Sequence, residues 1–181
     1  MVTDADVIGR SLVDGASFAI LFDRYYRALH RFLRARVGPQ LADDLVSETF
    51  ARAFRGRGSY DLARVDARPW LYGIAVNLLH EHRRAEERRL RAYARASPGE
   101  RAADVEEPLD ETVAAALLDL SEQDRTLILL HAWAELSYEE LADALGIPLG
   151  TVRSRLSRTR AKLRVRLAPA EVALVPEGDD A

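Results

Sequence analysis

The sequence predicts an all-α protein: two small helical domains joined by a flexible linker, the second built on a helix-turn-helix of the winged-helix-like kind. Three observations predict it. Apolar residues recur at helical spacing through most of the chain, and no strand signal of any length interrupts them. Capping residues stand where the periodic runs begin. A stretch rich in Ser, Pro, Gly and acids separates two such helical halves. The expected organisation is a flexible leader over 1–16, a first domain over 17–95, a linker over 96–109, a second domain over 110–168 and a disordered tail over 169–181.

In the first domain, Ser17 is expected to cap a helix running to about Arg36, with Phe18, Leu21, Phe22, Tyr25, Leu29, Phe32 and Leu33 on its apolar stripe. Gly38-Pro39 ends it and opens a second helix to about Arg55. There Leu41, Leu45, Thr49 and Phe50 face inward, and Asp43, Asp44 and Glu48 lie in the half where carboxylates suit the helix dipole. Residues 56–65 form a loop around Tyr60. Asp66 can cap a third helix that tolerates Pro69 in its first turn, carries Trp70, Leu71, Ile74, Leu78 and Leu79, and leaves through a basic end at Arg83, Arg84, Arg88 and Arg89. A flexible linker of this length spans about 20 Å on average, so compact and open arrangements of the halves are both allowed.

The second domain begins with a helix over about 109–119, followed by one whose start is signalled by Ser121 and Asp124. Next come Ser137 and Glu140, spaced for a capping box, with Leu141, Ala142 and Leu145 forming an apolar stripe. Gly146 suits the helix C-cap and Pro148 the approach to the following helix. In that last helix Val152, Leu156, Thr159 and Leu163 share one face, and at about 100° per residue Arg153, Ser154, Ser157 and Arg158 point the other way. A major groove admits one helix, and arginine reads guanine bidentately there, so this is a face suited to DNA.

The net charge of −3 conceals a strong segregation. Residues 24–101 hold 17 bases and nine acids, residues 102–150 one base and 12 acids, and residues 151–168 seven bases and no acid. Two basic blocks flanking an acidic one allow phosphate contact at two places. There is no cysteine, which excludes disulfides, thiolate zinc sites and thiol nucleophiles. No apolar run approaches a membrane span, and there is no signal-peptide core, so a cytoplasmic protein without membrane insertion is expected. The acids of Asp43-Asp44 point about 100° apart and do not converge on one substrate atom. His80 and His82 fall on opposite helix faces. Catalysis, a metal site and a cofactor are therefore not expected.

Three motifs carry a resemblance: Asp43-Asp-Leu-Val-Ser-Glu-Thr-Phe-Ala-Arg-Ala-Phe-Arg55, then Arg68-Pro-Trp-Leu-Tyr-Gly-Ile-Ala-Val-Asn77, then Leu136 to Leu163. In this order and spacing the chain resembles bacterial RNA polymerase sigma factors of the extracytoplasmic-function (ECF) class, sigma-70 family. The resemblance implies a promoter-specificity subunit that is not an enzyme. Its first domain would bind the polymerase and capture the −10 element, and its second would read the −35 element. It implies that Asp43, Asp44, Leu45, Glu48 and Phe50 lie in the segment docking on the β′ clamp helices, with the β flap as a further contact. Tyr60, Arg68, Asn77, Arg83 and Arg84 would serve −10 recognition and melting, the loop from Ser59 to Val65 holding a base turned out of the duplex. Tyr60 is a candidate stacker and equally a loop anchor; Trp70 reads as core rather than a wedge. On the recognition helix, Thr151, Arg153, Ser154, Arg155, Ser157, Arg158 and Arg160 would meet the −35 element, with Arg155 and Arg160 flanking on phosphate. Promoter DNA, core RNA polymerase and an anti-sigma protein are the implied partners. The alternative is a stand-alone helix-turn-helix regulator; a small hydrolase is disfavoured by the lack of converging His, Asp and Glu.

Overall fold

A computed structural model describes residues 2–94 and 111–167. Eight α-helices make up these residues: α1 (Asp4–Ser11), α2 (Ala19–Val37), α3 (Pro39–Gly56), α4 (Arg68–Ala94), α5 (Glu111–Leu118), α6 (Glu122–Trp133), α7 (Tyr138–Leu145) and α8 (Leu149–Leu167). Short 3-10 turns at Gly15–Phe18 and Arg57–Ser59 join α1 to α2 and lead out of α3. The described residues contain no strand, as the all-α expectation requires. The expected linker at 96–109 and tail at 169–181 lie outside the described residues.

The N-terminus departs from expectation. Residues 4–11 are not a loose leader but a helix, whose N-terminus is closed by a reciprocal Thr3–Asp6 capping box. An isolated helix of this length is marginal in water. Here Val7 and Ile8 are fully buried against the first domain, and burying side chains of this size contributes about 1.5–3 kcal/mol each. The turn that follows is capped by Asp14, which accepts from the Ala16 amide and the Ser17 hydroxyl. Ser17 is therefore not the cap, and α2 starts at Ala19.

Helices α2, α3 and α4 enclose the first core through Leu21, Leu29, Phe32, Leu33, Val46, Leu71 and Leu79. In the second domain α7 and α8 pack through Leu141, Val152 and Leu156, beside Leu127 and Leu130 of α6. The two cores are continuous, because α7 lies along α4. Their backbones come so close that a Cβ on Gly73 would stand 2.8 Å from the Ala144 carbonyl oxygen. Of the two arrangements the linker allows, the compact one is therefore the one observed.

Candidate nucleic-acid interface

The helix-turn-helix follows from local chemistry. Ser137 and Glu140 form a complete capping box at the start of α7. Gly146 takes the left-handed conformation (φ 63°, ψ 34°) that costs a residue without Cβ little. The Ile147 amide then donates to Ala142 O (3.1 Å) and the Gly146 amide to Asp143 O (3.4 Å), the two bonds of a Schellman closure. The turn aims α8 outward on its other face. Val152, Leu156 and Thr159 are buried, while Arg153, Ser154, Ser157 and Arg158 form one exposed strip. Arg158 Nε donates to Ser154 O at 3.2 Å, which holds its guanidinium along the helix. Thr151 and Arg155 flank the strip, half-buried. Arg160 is turned aside: its Nη1 donates to the Tyr138 hydroxyl at 2.7 Å, which ties α8 to α7.

In the first domain, Asn77 is exposed on α4 and borders two clefts of about 450 and 460 Å³. One is shared with Trp70, Ser59 and Asp61 and is closed on its far side by Asp143 and Ala144 of α7. The other is bounded by Arg52, Glu81 and Arg84, with Arg84 exposed. Trp70 is half-buried and packs on Tyr60 with ring centroids 4.9 Å apart, so it belongs to both core and cleft wall. Tyr60 is buried, and its hydroxyl donates to Arg64 O (2.7 Å) and Asp66 O (3.2 Å). It is a loop anchor here and not an exposed stacker, because a phenol sealed under its own loop has no free face. The same burial disfavours the phenolate and raises the hydroxyl's pKa to about 12.

Arg68 and Arg83, expected to reach DNA, instead face acids of the second domain. Arg68 is bound by Asp66 (2.7 Å) and approaches Glu140 (3.7 Å); Arg83 pairs with Glu122 at 2.6 Å. Arg64 adds a third such pair, with Asp143 at 2.7 Å. The acidic block of the sequence is thus the electrostatic counterpart of the basic block before it. At the centre of this contact Arg36 is buried. It donates to Thr126 Oγ1 at 2.8 Å, and its Nε and Nη1 find no hydrogen-bond partner among the described residues. Burial, then the neighbouring Arg83 and Arg125 guanidiniums, push Arg36 down to about 10.

The expected polymerase-docking set divides. Asp43 and Asp44 are exposed on α3. Glu48 is held by Arg52 (3.0 Å) and Arg55 (2.9 Å). Leu45 and Phe50 are buried at 6 % exposure each, so they support the surface rather than form it. The reason is helical phase: they share the inward face with Ala42, Val46 and Ala53. The exposed apolar ring beside Asp43 is Phe22, assigned above to the core. It packs on Phe50 and Tyr26, and Tyr26 donates to Asp43 at 3.3 Å. Phe22 sits at the edge of a wide apolar stripe, where periodicity alone does not separate core from rim. Among the described residues no group of three or more His, Asp or Glu is placed to hold a metal ion, and no helix is long and apolar enough to cross a membrane.

Comparison with known proteins matches residues 21–89 to sigma-70 region 2 and residues 110–163 to sigma-70 region 4. The ECF RNA polymerase sigma factor SigC of Mycobacterium tuberculosis is 39 % identical over 72 % of this chain and 70 % of its own. The RNA polymerase sigma-H factor of Pseudomonas aeruginosa is 32 % identical, over 86 % and 89 %. Among solved structures, the sigma factor RpoE of Bartonella quintana in complex with the anti-sigma factor NepR superposes with a TM-score of 0.71 at 26 % identity, over 84 % of this chain and 98 % of that one. CnrH in complex with the cytosolic domain of CnrY gives 0.65 at 25 %, over 90 % and 95 %.

Proposed function

The chain belongs to the ECF class of sigma-70-family RNA polymerase sigma factors, non-enzymatic subunits that bind core polymerase and direct it to promoters, and on that premise we propose which of its residues do so. Thr151, Arg153, Ser154, Arg155, Ser157 and Arg158 meet the −35 element, with Arg153 and Arg158 the base or phosphate readers. Asn77 and Arg84, at the clefts beside the Ser59–Val65 loop, meet the opened −10 element, joined by Arg68 and Arg83 once the second domain's acids are withdrawn. Asp43, Asp44 and Glu48, with Phe22 beside them, dock on the β′ clamp helices, and the second domain also contacts the β flap. An anti-sigma protein is proposed as a regulator, as RpoE of Bartonella quintana was solved with one. The site of action is the cytoplasm.

What carries this reading is the exposed strip Arg153-Ser154-Ser157-Arg158 on a helix whose other face is buried against α7, with a cleft-lining Asn77 on the other domain. Two DNA-facing surfaces on separate domains suit two separated promoter elements. The test is reconstitution with bacterial core polymerase on promoters selected from a genomic pool, with unpaired bases probed chemically. Melting that requires this protein and is lost with Asp43→Ala/Asp44→Ala supports the reading. Tight duplex binding without polymerase, and no melting with it, would replace it with the stand-alone regulator.

A further inference from the structure

Helix α1 precedes the stretch matched to sigma-70 region 2, yet it touches the segment between α3 and α4 near its start, in its middle and at its end. At the loop's start, Arg57 Nε donates to Ser11 O at 3.3 Å. In its middle, the Leu62 methyls lie over Gly9, 3.9 Å from where a Cβ would stand. At its end, the Asp4 amide donates to Val65 O (3.2 Å), and the Asp4 carboxylate accepts from the Ala67 amide (2.8 Å). That carboxylate is 4 % exposed, and it also accepts from the Tyr25 hydroxyl (2.5 Å) and pairs with Arg24 (2.6 Å). Tyr25 reaches on to Asp66 at 3.4 Å, and Asp66 in turn accepts from the Arg68 amide and side chain at the start of α4.

A buried carboxylate with this many donors holds a single geometry, because moving any partner leaves charge unsatisfied. Its partners lie on α2 and at the end of the loop. The loop's other side carries Ser59 and Asp61 to the cleft that Asn77 borders. A loop already held in shape avoids an ordering cost when it binds.

We propose that α1 is the platform that sets the shape of the base-capturing loop, and that Asp4 is its positioning residue, so that residues outside the family-matched region help decide which base the cleft accepts. This rests on the −10 role proposed above for the loop. Asp4 touches no DNA; it acts through Val65, Ala67 and Tyr25.

The test uses full-length protein in holoenzyme with core polymerase. Single-stranded −10 oligonucleotides, selected by the wild type, carry each of the four bases in turn at the captured position. The wild type is expected to separate best from worst base by about tenfold or more, the scale of one mismatched position. Asp4→Asn and Tyr25→Phe are expected to compress that spread several-fold while polymerase affinity stays unchanged. Compression in the variants that fold supports the proposal. An undiminished spread, or an equal loss for all four bases, overturns it, since a merely structural role lowers all four alike. If Asp4→Asn does not fold, Tyr25→Phe decides, because it removes one partner and leaves the Arg24 pair. A wild type with no spread at all means that the −10 assignment of the loop has failed, an outcome distinct from an undiminished spread in the variants, and the proposal falls with it.

Discussion

Gly73 of α4 and Ala144 of α7 touch where the two domains meet: the glycine's missing Cβ is the space that the Ala144 carbonyl occupies, 2.8 Å from where that carbon would stand. A backbone atom on the far side leaves nothing flexible to give way. Glycine inside a helix costs about 1 kcal/mol relative to alanine, and here it permits close helix packing in return. Gly73→Ala is therefore expected to push the domains apart, with an overpacking cost of about 1–3 kcal/mol on the compact form. The radius of gyration from small-angle X-ray scattering should rise while helical content stays constant. An unchanged radius would show that the contact does not hold the domains together.

Glu122 is the acid among four cationic or potentially cationic side chains, Arg36, Arg83, Arg125 and His80. Its loss leaves like charges facing one another. Glu122→Gln is expected to weaken the interdomain contact by about 1–2 kcal/mol; the side chain is 38 % exposed, so solvent screens part of what a fully buried pair would lose. The radius of gyration from small-angle X-ray scattering would rise. Arg64→Ala, whose partner Asp143 is half exposed, is expected to have a smaller effect, and high salt should mimic it.

His80 supplies a pH dependence. Burial, against the pull of Glu122, lowers its proton affinity below the ordinary value of 6.5. The unfolded chain thus binds the proton more readily than the folded one. Stability from this group is present above the unfolded value and is lost as pH falls from 6.5 toward the lowered folded value. Thermal melts between about pH 7.5 and pH 5.5 should show a decline that is smaller in His80→Gln. Equal declines in the two proteins would remove His80 as the cause.

The two faces of α8 separate stability from recognition. Leu156→Ala empties a fully buried position and is expected to cost about 2–5 kcal/mol of folding stability. Arg158→Ala, on the exposed strip, should leave the melting temperature in place and weaken holoenzyme binding to a −35 duplex by about 1–3 kcal/mol if it reads a base. If it meets phosphate instead, the loss is uniform across sequences and the salt dependence becomes shallower. Binding unaffected at any salt would take Arg158 out of the interface.

Features that depend on neighbours a few residues apart are legible along the chain. The Ser137–Glu140 box, the left-handed Gly146 and the two faces of α8 are settled within a turn or two of chain, by capping and helical phase. That was enough to fix the helix-turn-helix and its outward strip. The rest depends on contacts between distant parts of the chain. The Thr3–Asp6 spacing marks a helix start at residue 4, but eight residues are too few to hold a helix alone; it persists because Val7 and Ile8 are buried and because α2 and the loop hold Asp4. Phe22, at the edge of a wide apolar stripe, could have been core or rim until the packing of α2 on α3 left it exposed beside Phe50. The acidic block acquired meaning only when Asp143, Glu140 and Glu122 met Arg64, Arg68 and Arg83. Coulomb attraction acts through space, and spacing along the chain carries no record of which distant charge it will meet.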